Sequence, residues 1–290
     1  MSKNLISICS TAYRPENWMS LYRSIGKNSV AFELVFVGPN YPKFELPKNF
    51  HFIQSNVKPS QCYEVAVRNA NGNFILHVAD DCLFLTENPL DKLLDIYNKS
   101  INKNIIVSPL LMENGTSLQH AQRFNLKDRS SPLMPVGGLI SKDLYLKIGG
   151  VDRNFIAVMF DMDIAMRVYE IGGEILFAEV FYNEDKKMSQ GSNLCGDYWS
   201  HDRGYLDKLW FENGQVSAKR KYKVKTFIER DILNSSQGPR GRWRGSNNKY
   251  VSSLQDLVGH FLLFKGRFLR AIIKPKLYYY HLSKIFKNKR

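Results

Sequence analysis

No run of about 18 apolar residues occurs anywhere in the 290-residue sequence, so no segment is expected to cross a membrane as a helix. Cysteine is scarce. The four present, Cys9, Cys62, Cys82 and Cys195, have no CxxC spacing, which points to free thiols in a reducing, cytoplasmic compartment. The first residues lack the long apolar core of a secretory signal peptide and run directly into a strand-like LISICS. Internal repeats and low-complexity segments are also missing. What remains is ordinary globular composition: 44% hydrophobic residues over this length can bury a full core, in one large domain or one domain with an appendage.

Charge is unevenly spread. From Lys219 onward there are 19 Lys and Arg against three acids (Glu229, Asp231, Asp256), a net +16, whereas the preceding residues carry a net −2. A near-neutral body with a basic tail suggests that the tail meets an anionic surface, either membrane or nucleic acid. Within the tail, Leu254, Leu257, Val258, Phe261, Leu262, Phe268, Leu269 and Ile272 share one broad helical face, with Arg267, Arg270 and Lys274 opposite. That pattern describes an in-plane interfacial helix, or equally a helix packed on the body by the same apolar face. The charge concentration favours the anionic membrane. Between body and tail, SSQGPRGRWRGSNN (235 to 248) reads as a linker or loop.

The first half alternates strand-like and helix-like segments: LISICS (5 to 10), a helix through Trp18 to Ile25, FELVFV (32 to 37), HFIQ (51 to 54), the helix-like SQCYEVAVRNA (60 to 70) and FILHVA (74 to 79). PLDKLLDIYNKS then has helical spacing and NIIVSPL reads as a strand. Interleaving of this kind implies a covered, mostly parallel α/β sheet. Downstream, FDMDIAMRVYEIGG reads as a helix with Gly172 and Gly173 as its C-cap. Beyond Tyr198 the pattern is aromatic and irregular.

The segment NFILHVADDC (73 to 82) carries the first chemical signal. Asp80 and Asp81 follow a short apolar strand, at the strand end where open α/β sheets bind ligands. Adjacent carboxylates repel, so the pair implies a cation that holds both ionised; an isolated Asp-Asp is otherwise a solvated turn. His77 reads as a core residue.

Three pieces together resemble the GT-A fold glycosyltransferases, specifically the large inverting family often called family 2: the first strand with its polar exit STAYRPE (10 to 16), AVRNANGNFILHVADD (66 to 81), and VGGLISKDLYLKIGGVDRNFIAVMFDMDIAMRVYEIGG (136 to 173). The resemblance covers roughly residues 4 to 212. It implies a Rossmann-like, mostly parallel central sheet flanked by helices over residues 1 to 215, with a donor half (about 1 to 110) and an acceptor half (about 111 to 215). A basic, amphipathic helical extension would follow over 216 to 290. It further implies an inverting, hexosyltransferase-type enzyme using a nucleotide-sugar donor, a UDP-sugar first, with a glycan or lipid-linked acceptor in cell-surface polysaccharide synthesis.

The site residues implied are these. Asp81, Asp80 and His201 would hold Mn²⁺ or Mg²⁺, which neutralises a departing diphosphate. The triplet reads Ala79-Asp80-Asp81, departing from the family pattern at its first position. Asp161 of F-D-M-D would be the base that takes the acceptor's proton. Thr11, Tyr13, Arg14, Glu16, Asn40, Arg68, Asn69 and Asp80 would contact the donor. Gly137, Gly138, Asp163 and Trp199 would lie on the acceptor side, Asp163 pointing to a different helical face from Asp161. Where the family carries an aspartate after the second strand, this chain has Gly38-Pro39-Asn40. Two other readings compete: a nucleic-acid-binding protein with a basic aromatic tail bearing RGRWRG, and a glycosyltransferase-like protein without catalysis. For the leading reading, nucleic acid is not an expected partner and the enzyme sits peripherally on the inner face of the membrane.

Overall fold

A computed structural model describes residues 4–113, 116–117, 122–125, 130–184, 198–212, 215–217 and 219. The expected linker, the amphipathic tail helix and Cys195 lie outside the described residues.

Three helices begin with proline at their first turn, where the missing N–H is no loss and φ is already helical. They are α1 (Pro15–Ile25), α2 (Pro59–Asn69) and α3 (Pro89–Lys99). Strands β1 (Leu5–Thr11), β2 (Ala31–Gly38), β3 (Phe50–Gln54) and β4 (Phe74–His77) run parallel in the order β3-β2-β1-β4. The sheet continues through β8 (Gly138–Ser141), β6 (Ile105–Glu113), β9 (Glu174–Glu184) and β5 (Cys82–Phe84), with the short β7 (Thr116–Ser117) paired to β6. β8 runs antiparallel to both its neighbours and β5 antiparallel to β9, while β6 and β9 are parallel. The sheet is therefore mostly parallel, and it runs unbroken across the division expected near residue 110.

Strand residues are buried on both faces, which is why the strands read as apolar runs without alternation. One face of β1, β2 and β4 (Ile6, Ile8, Leu34, Phe36, Phe74, Leu76) packs on Trp18 and Leu21 of α1 and Leu90, Leu93 and Tyr97 of α3. The other (Cys9, Val35, Val37, Ile75) packs on α2 and on three later helices, α4 (Lys142–Lys147), α5 (Phe160–Glu170) and α6 (Trp199–Trp210). Three layers result. Cys9, Cys62 and Cys82 are buried thiols outside any disulfide.

Local signals close the elements. The α5 end is a Schellman turn: Gly172 has φ +77° and its N–H donates to the Tyr169 carbonyl, while the Gly173 N–H donates to that of Val168 at 2.8 Å. At Gly38 a Cβ would lie 1.6 Å from the Ala12 carbonyl oxygen, so the end of β2 abuts the β1–α1 loop through bare backbone. The helix α6 stands where the sequence looks irregular. Its inward positions are Asp202, Leu206, Leu209 and Trp210, all buried, and the acid among them obscures the apolar stripe. A short hairpin of β10 (Phe211–Glu212) and β11 (Gln215–Val216) follows it.

Candidate functional site

The site forms where β1 and β4 end. After β1, residues 12 to 14 lead into α1. Past β4, the Val78 N–H still pairs with the Cys9 carbonyl, and the chain then delivers Asp80 and Asp81 beside that loop. Asp80 Oδ2 accepts the backbone N–H groups of Tyr13 (2.6 Å) and Arg14 (2.7 Å). Its Oδ1 accepts Arg14 Nε (3.1 Å) and Nη2 (2.7 Å). Arg14 Nη1 lies 2.7 Å from Asp81 Oδ2. The cation seated between the two aspartates is thus Arg14. Its side chain is 16% exposed, against 3% and 9% for the two aspartates, so Arg14 is the most accessible of the three. Burial alone would lower the guanidinium pKa; the two carboxylates more than reverse this and raise it.

Around this cluster, Thr11 Oγ1 donates to the Pro59 carbonyl (2.5 Å) and Asn40 Nδ2 to that of Tyr13 (2.7 Å). The β2 exit is thereby tied to the β1–α1 loop. Glu16 is exposed in the first turn of α1. Gly137 (φ +70°) and Gly138 (φ +133°) enter β8, where Gly138 pairs with His77; a Cβ on Gly137 would meet the His77 carbonyl at 2.3 Å. Arg68 and Asn69 are not brought here. They end α2 on the side where β1 starts, bonded within their own helix to Glu64 and to the Val65 carbonyl.

Asp161 sits in the first turn of α5. The preceding Phe160 packs on His77, ring centroids 5.3 Å apart, which brings the α5 N-terminus to the end of β4. Burial pushes the half-buried Asp161 carboxyl up to about 6, partly offset by hydrogen bonds from the N–H groups of Met162 and of Asp161 itself. Asp163 turns the other way and is completely buried. It pairs with Arg167 at 2.9 Å and accepts Trp210 Nε1 at 2.8 Å, so it pins α6 to α5 and is closed to an acceptor. His77, between Tyr63 and Phe160, is held at about 4 by burial and is neutral.

One residue was missed by sequence reasoning. Asp202 is fully buried, and its carboxylate accepts the consecutive N–H groups of Ile156 (3.0 Å), Ala157 (2.8 Å) and Val158 (2.9 Å). It clamps the loop that delivers Asp161. His201 Nδ1 lies 2.9 Å from Asp202 Oδ1. Trp199, at the start of α6, is 53% exposed. A signal was available: Asp202 shares a helical face with Leu206, Leu209 and Trp210, and an acid on an apolar stripe must be buried against donors.

The donor chemistry fits a divalent cation at one of the three expected ligands. Asp81 offers a hard oxygen at the crevice. Asp80 does not fit, because its four acceptor positions are filled by Tyr13 and Arg14. Among the described residues no three His, Cys, Asp or Glu gather to hold an ion, so His201 does not join the aspartate pair.

No protein-family model matches the sequence, and neither does any curated protein. Solved structures do. One is GalNAc-T7, in a crystal structure with UDP, GalNAc and Mn²⁺, at TM-score 0.51 and 14% identity, covering 73% of this chain and 48% of the other. Another is residues 1–349 of S. aureus TarS, at TM-score 0.44 and 16% identity over 63% of this chain and 58% of that one; its complex with UDP gives 0.45. The chain thus spans about half the length of the GalNAc-T7 chain it matches. The mostly parallel sheet with helices on both faces is the GT-A fold expected from the resemblance.

Proposed function

We propose that this protein is an inverting glycosyltransferase that moves a sugar from a nucleotide-sugar donor to a hydroxyl of a glycan or lipid-linked acceptor. The observation that carries the reading is the pairing of two unlike acidic centres where β1 and β4 end. Asp161 is a carboxyl raised to about 6 by burial, while Asp80 and Asp81 are ion-paired with Arg14. A carboxyl raised by burial beside carboxylates that are ion-paired suits a division between base and charge-binding roles.

In this reading the acceptor oxygen attacks the anomeric carbon, its proton passes to an Asp161 carboxylate oxygen, and the carbon–oxygen bond to the diphosphate breaks with its electron pair on the departing oxygen. A carboxylate with a pKa near 6 is ionised at neutral pH yet basic enough to take that proton. Arg14 and the α1 N-terminus face the charge that develops on the diphosphate. A divalent ion, when bound, supplies further neutralisation of that charge, and Asp81 is the residue that would hold it. Gly137 and Gly138 keep the β8 entrance free of side chains, and Trp199 offers an apolar ring for a sugar face. A UDP-sugar is the first donor to test; the acceptor belongs to cell-surface polysaccharide synthesis.

The deciding experiment is a thermal-shift panel of UDP, GDP, CMP and dTDP with and without Mn²⁺, followed by donor turnover with Asp161→Asn. One nucleotide should stabilise the protein by about 2.7 kcal/mol at a hundredfold excess over its dissociation constant. Asp161→Asn should keep that binding and lose transfer by about 10²- to 10⁴-fold. Silence across the whole panel ends the donor reading.

A further inference from the structure

The acidic pair is flanked by Ala79 and Cys82, and one buried hydroxyl reaches both flanks. The registers that pair β4 with β1 and with β8 end at His77. Val78 adds one bond to the Cys9 carbonyl, and the next amide, that of Ala79, must find its acceptor elsewhere. It donates to Tyr182 Oη at 2.8 Å, across 103 residues of chain. The same hydroxyl bonds the Cys82 thiol, whose sulfur stands 3.9 Å from Asp81 Oδ1. Tyr182 belongs to β9, in register with Phe84 of β5, and the two rings pack with centroids 5.2 Å apart. Burial first, then the thiol and Asp81, push the buried phenol well up, so it stays protonated and its hydroxyl donates as well as accepts.

We propose that Tyr182 is a positioning residue for the donor side of the site, holding both flanks of the Asp80–Asp81 turn in the arrangement that takes a nucleoside diphosphate. Asp80 binds the amides of Tyr13 and Arg14, and both aspartates pair with the Arg14 guanidinium, so a turn that slides carries the β1–α1 loop with it. Asp161 hangs from a different support, because Asp202 of α6 holds the amides ahead of α5. The donor side is therefore braced from β9 and the base from α6. The brace rests on the nucleotide-sugar reading above and assigns donor affinity to a buried side chain as well as to those that meet the ligand.

The test compares the full-length wild type, Tyr182→Phe and Ile105→Val by calorimetric titration of UDP and GDP in the presence of Mn²⁺, with circular dichroism confirming each fold. Tyr182→Phe keeps the ring against Phe84 and removes only the oxygen. The Ala79 amide then lacks its acceptor, the turn spends less time in its binding arrangement, and apparent nucleotide affinity should fall by that fraction, about 3- to 10-fold. Ile105→Val trims a buried methylene from the same core cluster and should leave the affinity within about twofold, which separates positioning from general loosening. Hydrogen exchange over residues 74–84 should show the Ala79 amide protected in the wild type before nucleotide is added, and exchanging about tenfold faster in Tyr182→Phe. The acid limb of turnover should stay at about 6 in Tyr182→Phe, since Asp161 has its own support. Equal nucleotide affinity in wild type and folded Tyr182→Phe, or an equal loss in Ile105→Val, overturns the brace and leaves the donor reading standing. A limb that moves with the affinity overturns it too, because Tyr182 would then support the fold at large. Should Tyr182→Phe lose its fold, a ring-fluorinated tyrosine in place of Tyr182 keeps the hydroxyl but weakens it as an acceptor; weaker nucleotide binding there supports the brace and unchanged binding overturns it. If neither nucleotide binds the wild type, donor reading and brace fall together.

Discussion

A carboxylate two residues from another has a different task because one faces the crevice and the other the core. Asp161 is held at about 6 by burial, and in the proposed mechanism that value sets the pH dependence of transfer. The base works only when deprotonated, so kcat should rise as pH increases through about 6 and level off above it, a limb that Asp161→Asn abolishes. Stability moves the other way. With its carboxyl raised from 3.8 in the unfolded chain to about 6 when folded, the native state binds more protons between those values. The benefit is full below 3.8 and is lost as pH climbs through about 6. Asp161→Asn should therefore be more stable than wild type at pH 7 by about 1 to 2 kcal/mol and gain nothing at pH 4, as urea denaturation at the two pH values will show. Asp80 is the opposite case, a buried charge whose partners are in place. Asp80→Ala removes, at a side chain only 3% exposed, the acceptor of two backbone N–H groups and one of the two carboxylates on Arg14, and should lower stability by about 3 kcal/mol. An equal stability in the same denaturation would show that the loop does not depend on it.

Helix α6 reaches the proposed base through the backbone: Asp202 holds the three amides before α5, and Trp210 holds Asp163. Asp202→Asn keeps one acceptor oxygen and loses the charge, so the loop should loosen and the base should wander. The expected result is a loss in kcat of about 10- to 100-fold with nucleotide affinity unchanged. A fall in both together would mean that α6 supports the fold rather than the base. The same element marks the limit of what the sequence discloses. The first strands and α2, α3 and α5 were legible to within a residue or two, because apolar runs, N-terminal prolines and the Gly172-Gly173 cap are local signals. The strands β5 and β8 and the helix α6 were not, since three- and four-residue strands exist only through their partners and the inward face of α6 carries an acid. In the site, adjacent aspartates demanded a cation, and sequence could name Arg14 as a phosphate contact; only the folded loop shows it filling Asp80. Arg68 and Asn69 were drawn to the donor by motif likeness, yet an 11-residue helix carries them to the end of the sheet where β1 starts.

At the scale of the whole molecule the charge asymmetry is the main feature still to be explained. Among the described residues no helix is long and apolar enough to cross a membrane. The net +16 from Lys219 onward adjoins a body of net −2 that carries the proposed chemistry. A lipid-linked acceptor would have to be met at a surface, and a basic amphipathic segment supplies such contact through apolar burial plus attraction to anionic headgroups. Each basic residue near an anionic leaflet contributes about 1 kcal/mol, an attraction that fades over about 8 Å at physiological salt. The full-length chain should therefore float with vesicles containing phosphatidylglycerol at 50 mM salt, separate from neutral phosphatidylcholine vesicles, and lose most of its anionic binding near 500 mM. Apolar insertion alone would survive high salt and ignore headgroup charge. Retention on RNA in preference to anionic vesicles would instead make the tail a nucleic-acid contact, since salt sensitivity alone does not distinguish the two polyanions.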